Sequence, residues 1–195
     1  MRRVVLAVLA AVVSMFLLAG TANAVPGNSG VYGTTFVDGG GVLTDDFGDH
    51  YSELGNSLCN GCADSRNTDL VVMWQSILVA EGLLPASGID GSFGPNTAAA
   101  TVKWQRLYGI DDDGWVGNET WTKADDRLRW LHYNDSYEVY YDGKGNGGVY
   151  FLRGDETYQD DGAYLLTVAQ QPDLGYNFFH GGDRIQYYQR TVLRG

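Results

Sequence analysis

Three stretches between residues 68 and 131 carry apolar side chains at the spacing of amphipathic helices. The first is predicted to begin at Thr68 or Asp69, either of which is a good N-cap, and to end before Gly82. The second begins at Gly94 and Pro95 and ends before Gly109, and the third follows Gly117 and Asn118. The side chains expected on the buried faces are Leu70, Trp74, Ile77 and Leu78, then Thr97, Ala100, Thr101, Trp104 and Leu107 or Tyr108, then Trp121, Ala124, Leu128 and Leu131.

From Tyr133 onward the helical spacing gives way to short β-branched and aromatic runs separated by glycine. The run SYEVYYDGKGNGGVYFLRG predicts a hairpin that turns between Asp142 and Gly148. Three further candidate strands lie in the runs GAYLLTVAQ, LGYNFFHG and DRIQYYQRTVL. We therefore expect an α+β protein, in which a three-helix module is followed by a small antiparallel β-rich part. That part is either a second domain or a sheet packed on the helices.

The first 24 residues have the pattern of a secretory signal peptide. Arg2 and Arg3 precede an apolar run that is too short to span a bilayer comfortably, and Ala22-Asn23-Ala24 is a small-x-small cleavage site. Thr21 stands where a lipoprotein would carry its lipid-bearing cysteine, so no membrane anchor is expected. The predicted organisation is a signal peptide at 1–24, a glycine-rich segment at 25–57, a helical domain at 58–131 and a β-rich C-terminal domain at 132–195.

The helical region contains a duplicated phrase. A Trp-Gln pair is followed by Asp-Gly-x-apolar-Gly-x-x-Thr, first at 74–75 and 90–97 and again at 104–105 and 113–120. The residues to which we assign a structural role in this phrase are Trp74, Gln75, Gly91, Phe93, Gly94, Trp104, Gln105, Gly114, Gly117 and Trp121. An inward-facing glutamine beside a core tryptophan is costly unless it satisfies buried backbone groups of the loop. Gln75 and Gln105 are therefore interpreted as architectural, with direct ligand contact as the alternative.

The repeated phrase closely resembles the pattern of the peptidoglycan-binding domain family. The further residues that match are Val71 before the first Trp-Gln pair, Leu78 and Gly82 after it, Ala100 before the second pair, and Gly109 and Ile110 after that pair. The resemblance covers residues 68–124 and departs mildly from the family pattern, since tryptophan replaces the usual leucine or phenylalanine before each glutamine. It implies a three-helix wall-binding module with a shallow groove near the loops. The candidate ligand-binding residues are Asp90, Ser92, Asn96, Asp113 and Trp115. Trp115 can stack on a sugar face, or it can pack against the C-terminal sheet.

Charge narrows the range of partners. The chain has a net charge of −11, which becomes −13 when the signal peptide leaves with Arg2 and Arg3. So acidic a chain repels nucleic acids and anionic membrane surfaces, and no Lys/Arg cluster offsets this. Peptidoglycan must then be bound through hydrogen bonds and apolar contacts.

The two cysteines, Cys59 and Cys62, stand in a CNGC sequence, and export favours a local disulfide between them. A redox-active pair and half of a zinc site are the alternatives, although the three histidines are scattered and no metal or other cofactor is expected.

No catalytic residue is assigned. His180, with Asp183 nearby, is the least implausible catalytic candidate. The sequence thus favours a secreted, extracellular, wall-associated protein without catalysis. Two alternatives stay open: a small hydrolase with its catalytic residues in the tail, and a wall-bound protein that presents its β-rich part to a protein partner.

Overall fold

The computed structural model describes residues 36–39, 42–48, 57–133, 136–145, 147–153, 164–166 and 184–191. Its helices are α1 (Asp69–Ala80), α2 (Pro95–Tyr108) and α3 (Asn118–Asp125). They precede an antiparallel sheet with strand order β1-β2-β3-β4, formed by Leu128–Tyr133, Ser136–Asp142, Gly148–Leu152 and Leu165–Leu166. The α+β class is confirmed. None of the helices in this part of the chain is both long and apolar enough to span a bilayer.

The helices begin where their capping signals predict. The hydroxyl of Thr68 accepts a hydrogen bond from the Leu70 amide at 3.2 Å, which satisfies one of the free N–H groups at the start of α1. Pro95 occupies the first turn of α2, where its missing N–H costs nothing, and α2 ends before Gly109. These local signals confirm the predicted starts of all three helices.

The predicted extent of the third helix is wrong, because α3 ends at Asp125. Leu128 and Leu131 lie in β1 instead, where they pair with Tyr141 and Glu138 of β2. Pairing with β2 along the whole of β1 favours the strand, and its first residue, Leu128, is buried in the core.

The hairpin β2–β3 turns where it is predicted, with Asp142 opposite Gly148. Its turn lies against the end of α1, where Glu81 is 5% exposed. The Glu81 carboxylate accepts hydrogen bonds from the Tyr141 hydroxyl at 2.6 Å and the Lys144 amide at 2.9 Å. A Cβ at Gly145 would lie 2.3 Å from the Glu81 carbonyl oxygen, so only glycine allows this approach.

Helices and sheet share one hydrophobic core, so the sheet is packed on the helices. Trp74, Trp104 and Trp121 are buried together as predicted, with Trp74 edge-to-face against the other two at centroid distances of 5.0 and 5.5 Å. The Trp104 indole N–H donates to the hydroxyl of Tyr141 in β2 at 3.0 Å. This bond links the helical core directly to the sheet.

The C-terminal segment Arg184–Thr191, which we name the C-terminal strap, lies at the start of α1. The buried Asp69 carboxylate accepts hydrogen bonds from the amides of Gln186 at 2.9 Å and Thr191 at 2.6 Å. The strap also pairs with the N-terminal segment through an isolated bridge between Phe36 and Gln186. The full strand predicted here is replaced, within the described residues, by bridge positions at Arg184 and Gln186, and the candidate strand LGYNFFHG lies outside the described residues.

The tryptophan cluster gives a stability prediction. Trp74→Ala should lower the free energy of unfolding by about 3–5 kcal/mol, because it removes a fully buried indole and leaves a cavity. Urea denaturation followed by circular dichroism measures the loss. Leu107→Ala, at a 45% exposed side chain of α2, is the control and should change stability by less than about 0.5 kcal/mol. Equal losses in the two variants would contradict the central role of the cluster.

Candidate functional site

The duplicated phrase folds into two equivalent loops, each leading into a helix. The first loop, Asp90–Thr97, leads into α2, and the second loop, Asp113–Thr120, leads into α3. Gly91 and Gly114 adopt φ values of 70° and 76°, a conformation that side chains other than glycine rarely tolerate. The repeat therefore builds the same turn twice.

Gln75 of α1 holds the first loop from below. Its side-chain N–H₂ group donates to Asp90 Oδ1 at 2.9 Å, to the Ser92 carbonyl at 3.1 Å and to Thr97 Oγ1 at 3.1 Å. Its carbonyl oxygen accepts from the amides of Asp90 at 3.1 Å and Gly91 at 2.8 Å. The side chain is fully buried, so these bonds replace the water that it loses.

Gln105 of α2 holds the second loop in the same way. It donates to Asp113 Oδ1 at 3.0 Å, to the Trp115 carbonyl at 2.8 Å and to Thr120 Oγ1 at 3.2 Å, and it accepts from the Gly114 amide at 2.8 Å. We call each arrangement a glutamine clasp. The contacts are those that the architectural interpretation of Gln75 and Gln105 requires, and they leave little of either side chain for a ligand.

Asp90 and Asp113, expected to contact the ligand, also shape their own loops. One oxygen of each accepts from the amide two residues later, Ser92 or Trp115, at 2.8 Å. Both residues remain exposed at the surface. Each carboxylate thus has one oxygen held within the loop while its side chain still faces solvent.

The five expected ligand residues are divided between two recesses. Asp90, Ser92 and Asn96 line the first recess, of about 540 Å³, between the first loop, α2 and the segment that follows α1. Asp113 and Trp115 line the second recess, of about 150 Å³, beside the second loop. The glutamine clasps fix the backbone under both.

Trp115 is 52% exposed, although large aromatic side chains usually bury most of their surface. Among the described residues, those that line its recess are Ser57, Gln105, Asp111, Asp113, Gly117, Asn118, Glu119 and Thr120 together with Trp115 itself, and none of them belongs to the sheet. Its indole is therefore available to a ligand at the surface, and the described contacts give no packing role against the sheet.

The segment with the two cysteines lies against both loops. Cys59 and Cys62 form a disulfide, as expected, and Cys59 lines a further recess of about 230 Å³ with Arg66 and Ser92. Next to it, Leu58 exchanges backbone hydrogen bonds with Val116 of the second loop at 3.1 and 2.9 Å. The sequence gives no signal for this pairing, because the two residues are far apart along the chain.

Sequence reasoning also missed Lys103, which lines the first recess with Asn96 and Ala99. The three residues stand at helical spacing on α2, so this spacing is the signal that could have found Lys103. His180 and Asp183, the residues considered for a catalytic role, lie outside the described residues. Within the described ranges, no three His, Cys, Asp or Glu side chains come together to form a metal site.

One carboxyl group with a raised pKa, that of Asp125, lies at the end of α3. Burial raises the pKa of Asp125 well above its usual range, although the amides of Phe47 and Gly48 donate to its two oxygens at 2.6 and 2.7 Å. Asp125 lines neither recess. This carboxyl therefore anchors the segment 42–48 on α3.

Three helices joined by two clasped loops form a small module with two open recesses beside its loops. Residues 67–124, a segment of the chain, match the peptidoglycan binding domain family. This match supports peptidoglycan as the ligand and an association with the cell wall.

An uncharacterized protein encoded in the bpoA1 3′ region of Kitasatospora aureofaciens is 35% identical over 77 residues. The alignment covers 36% of this chain and 65% of that protein. No solved structure matches the chain.

The first clasp predicts a local and measurable defect. Gln75→Ala should lower the free energy of unfolding by about 2–3 kcal/mol, because the buried amides of the first loop lose their acceptor. It should also speed hydrogen exchange at the Gly91 amide, which nuclear magnetic resonance measures residue by residue.

Gln189→Ala, at an exposed glutamine of the C-terminal strap, is the control and should leave both measurements unchanged. Gln105→Ala should move the faster exchange from Gly91 to Gly114. Unchanged stability and exchange in Gln75→Ala would show that the clasp does not hold the loop.

Proposed function

We propose that this protein is a secreted, non-catalytic protein that binds cell-wall peptidoglycan through its two clasped loops. The observation that carries the proposal is the half-exposed Trp115 on a loop that Gln105 fixes from below. The family match over residues 67–124 supports the ligand class.

A fixed loop makes Trp115 an effective contact. Binding costs conformational entropy when side chains and loops must be ordered, and the second clasp has already ordered the backbone on both sides of Trp115. An indole face offers a flat apolar surface for the C–H groups of a sugar ring. The neighbouring carboxylate of Asp113 can accept hydrogen bonds from sugar hydroxyls, so apolar and polar contacts lie side by side.

The net charge of the chain indicates which interactions can drive binding. The exported chain carries a charge of −13 after removal of the predicted signal peptide, and like charge opposes approach to an anionic wall. Association therefore draws on short-range contacts in the recesses. The predicted signal peptide and the Cys59–Cys62 disulfide both support an extracellular location.

Trp115→Ala tests the proposal. The variant should bind purified, teichoic-acid-stripped peptidoglycan roughly thirtyfold more weakly, since loss of a well-placed aromatic anchor costs about 2 kcal/mol. Sedimentation with insoluble wall measures the bound fraction. Trp115→Phe, which keeps an aromatic ring, should retain most of the affinity.

Trp130→Ala is the matched control, because Trp130 is 41% exposed but lies in β1, outside both loops. It should bind as the wild type does. Equal binding by Trp115→Ala and the wild type would remove Trp115 from the site, and no binding by the wild type would overturn the proposal.

Binding should change little between low and high salt, because counterion release cannot drive association of so acidic a chain. The same sedimentation assay, run over a range of sodium chloride concentrations, measures this. Loss of binding at moderate salt would show that charge provides the driving force. Soluble muropeptides released by the wild type but not by His180→Ala would establish the hydrolase alternative.

A further inference from the structure

The two recesses share a clasp but differ in charge. Among the described residues, the second recess is lined by three carboxylates, those of Asp111, Asp113 and Glu119, and by no lysine or arginine. The first recess is lined by Lys103 and by the single carboxylate of Asp90. Equivalent backbone therefore presents an anionic surface in one copy and a mixed surface in the other.

Lys103 is exposed, and no carboxylate of the described residues lies within ion-pair distance of its ammonium. Its equivalent in the second copy is Asp126, which forms an ion pair at 2.7 Å with Lys123. In the second copy the charge of Lys123 is thus neutralised by Asp126, whereas in the first copy the charge of Lys103 remains available at the recess.

Two further cations lie near the first loop. Arg190 of the C-terminal strap donates to the Asp90 carbonyl oxygen, and its guanidinium occupies the space where a Cβ of Gly91 would lie. Arg66 lines the adjoining recess beside Ser92. In a chain of net charge −11, three cations around one loop make the potential there less negative than at the second loop, although Lys103 alone of the three lines the first recess.

Part of the wall of the first recess is apolar and is formed by Leu83, Leu84, Pro85, Ala99 and Ala100, while Ser87 and Thr97 add hydroxyl groups. Its volume of about 540 Å³ lies in the range of small-molecule sites. The hydroxyl of Ser92 and the amide of Asn96 add groups that can pair with peptide N–H and C=O groups. Such a recess fits a short peptide that ends in, or carries, a carboxylate.

We propose that the first recess binds the stem peptide of peptidoglycan, with Lys103 pairing with a peptide carboxylate, and that the second recess binds the glycan. This division rests on the proposed function and assigns each loop its own part of the polymer. The anionic second recess repels carboxylates, whereas a neutral sugar can stack on Trp115 without that penalty. A single ion pair in the first recess leaves the overall salt dependence weak.

Three soluble probes separate the two recesses. They are a disaccharide tetrapeptide from peptidoglycan, the same compound with its carboxylates converted to primary amides, and the uncharged tetramer of N-acetylglucosamine. Calorimetric titration of the secreted chain should show that amidation weakens muropeptide binding on the order of tenfold, as loss of a charge-assisted hydrogen bond does.

Lys103→Ala should abolish the difference between the acid and the amide while leaving tetramer binding unchanged. Lys123→Ala, which changes the charge by the same amount on α3, should preserve the difference. Trp115→Ala should weaken tetramer binding and leave the effect of amidation in place.

Equal affinity of the wild type for acid and amide, or equal losses in Lys103→Ala and Lys123→Ala, would overturn the division. Sedimentation with whole peptidoglycan distinguishes this failure from failure of the proposed function. Wild-type protein that sediments with wall but ignores amidation contradicts the peptide site alone.

Discussion

The glutamine clasp is the interaction on which the rest of this structure depends. A buried amide with no partner would destabilise the fold, so Gln75 and Gln105 each require a loop that returns donors and acceptors at fixed positions. That requirement sets the turns at Gly91 and Gly114, the starts of α2 and α3, and the outward direction of the side chains at the loop tips. The architecture and the candidate binding surface therefore have the same physical origin.

The local features of this architecture could be predicted because their causes are local. Capping residues mark where helices begin, and the repeated phrase identifies Gln75 and Gln105 as a pair. Leu128 and Leu131 misled the prediction, because their spacing continues the helical pattern of Trp121 and Ala124. The strand forms instead of a longer helix because its partners are distant along the chain. The Arg127 carbonyl accepts a hydrogen bond from the Asp142 amide at 3.0 Å, and Leu128 lies opposite Tyr141.

Part of the candidate site could be predicted as well, because it also depends on local features of the sequence. Asp90, Ser92, Asn96, Asp113 and Trp115 follow from the repeat, because loop positions that the core does not need are free to serve a ligand. Lys103 belongs to no repeated phrase, and only the folded recess shows that it joins the first loop. Duplication followed by divergence explains the result. The clasp is the same in both copies, but Ser92 of the first copy corresponds to Trp115 of the second, and Lys103 corresponds to Asp126.

The C-terminal strap ties the stability of α1 to a distant part of the chain. Asp69, at the start of the helix that carries Gln75, accepts hydrogen bonds from Gln186 and Thr191, which lie 117 and 122 residues further along the sequence. The buried Asp69 carboxylate keeps these donors only while the strap stays in place. A protease that trims the strap would therefore loosen the helix that supports the first loop, although its cut lies far from that loop in the sequence.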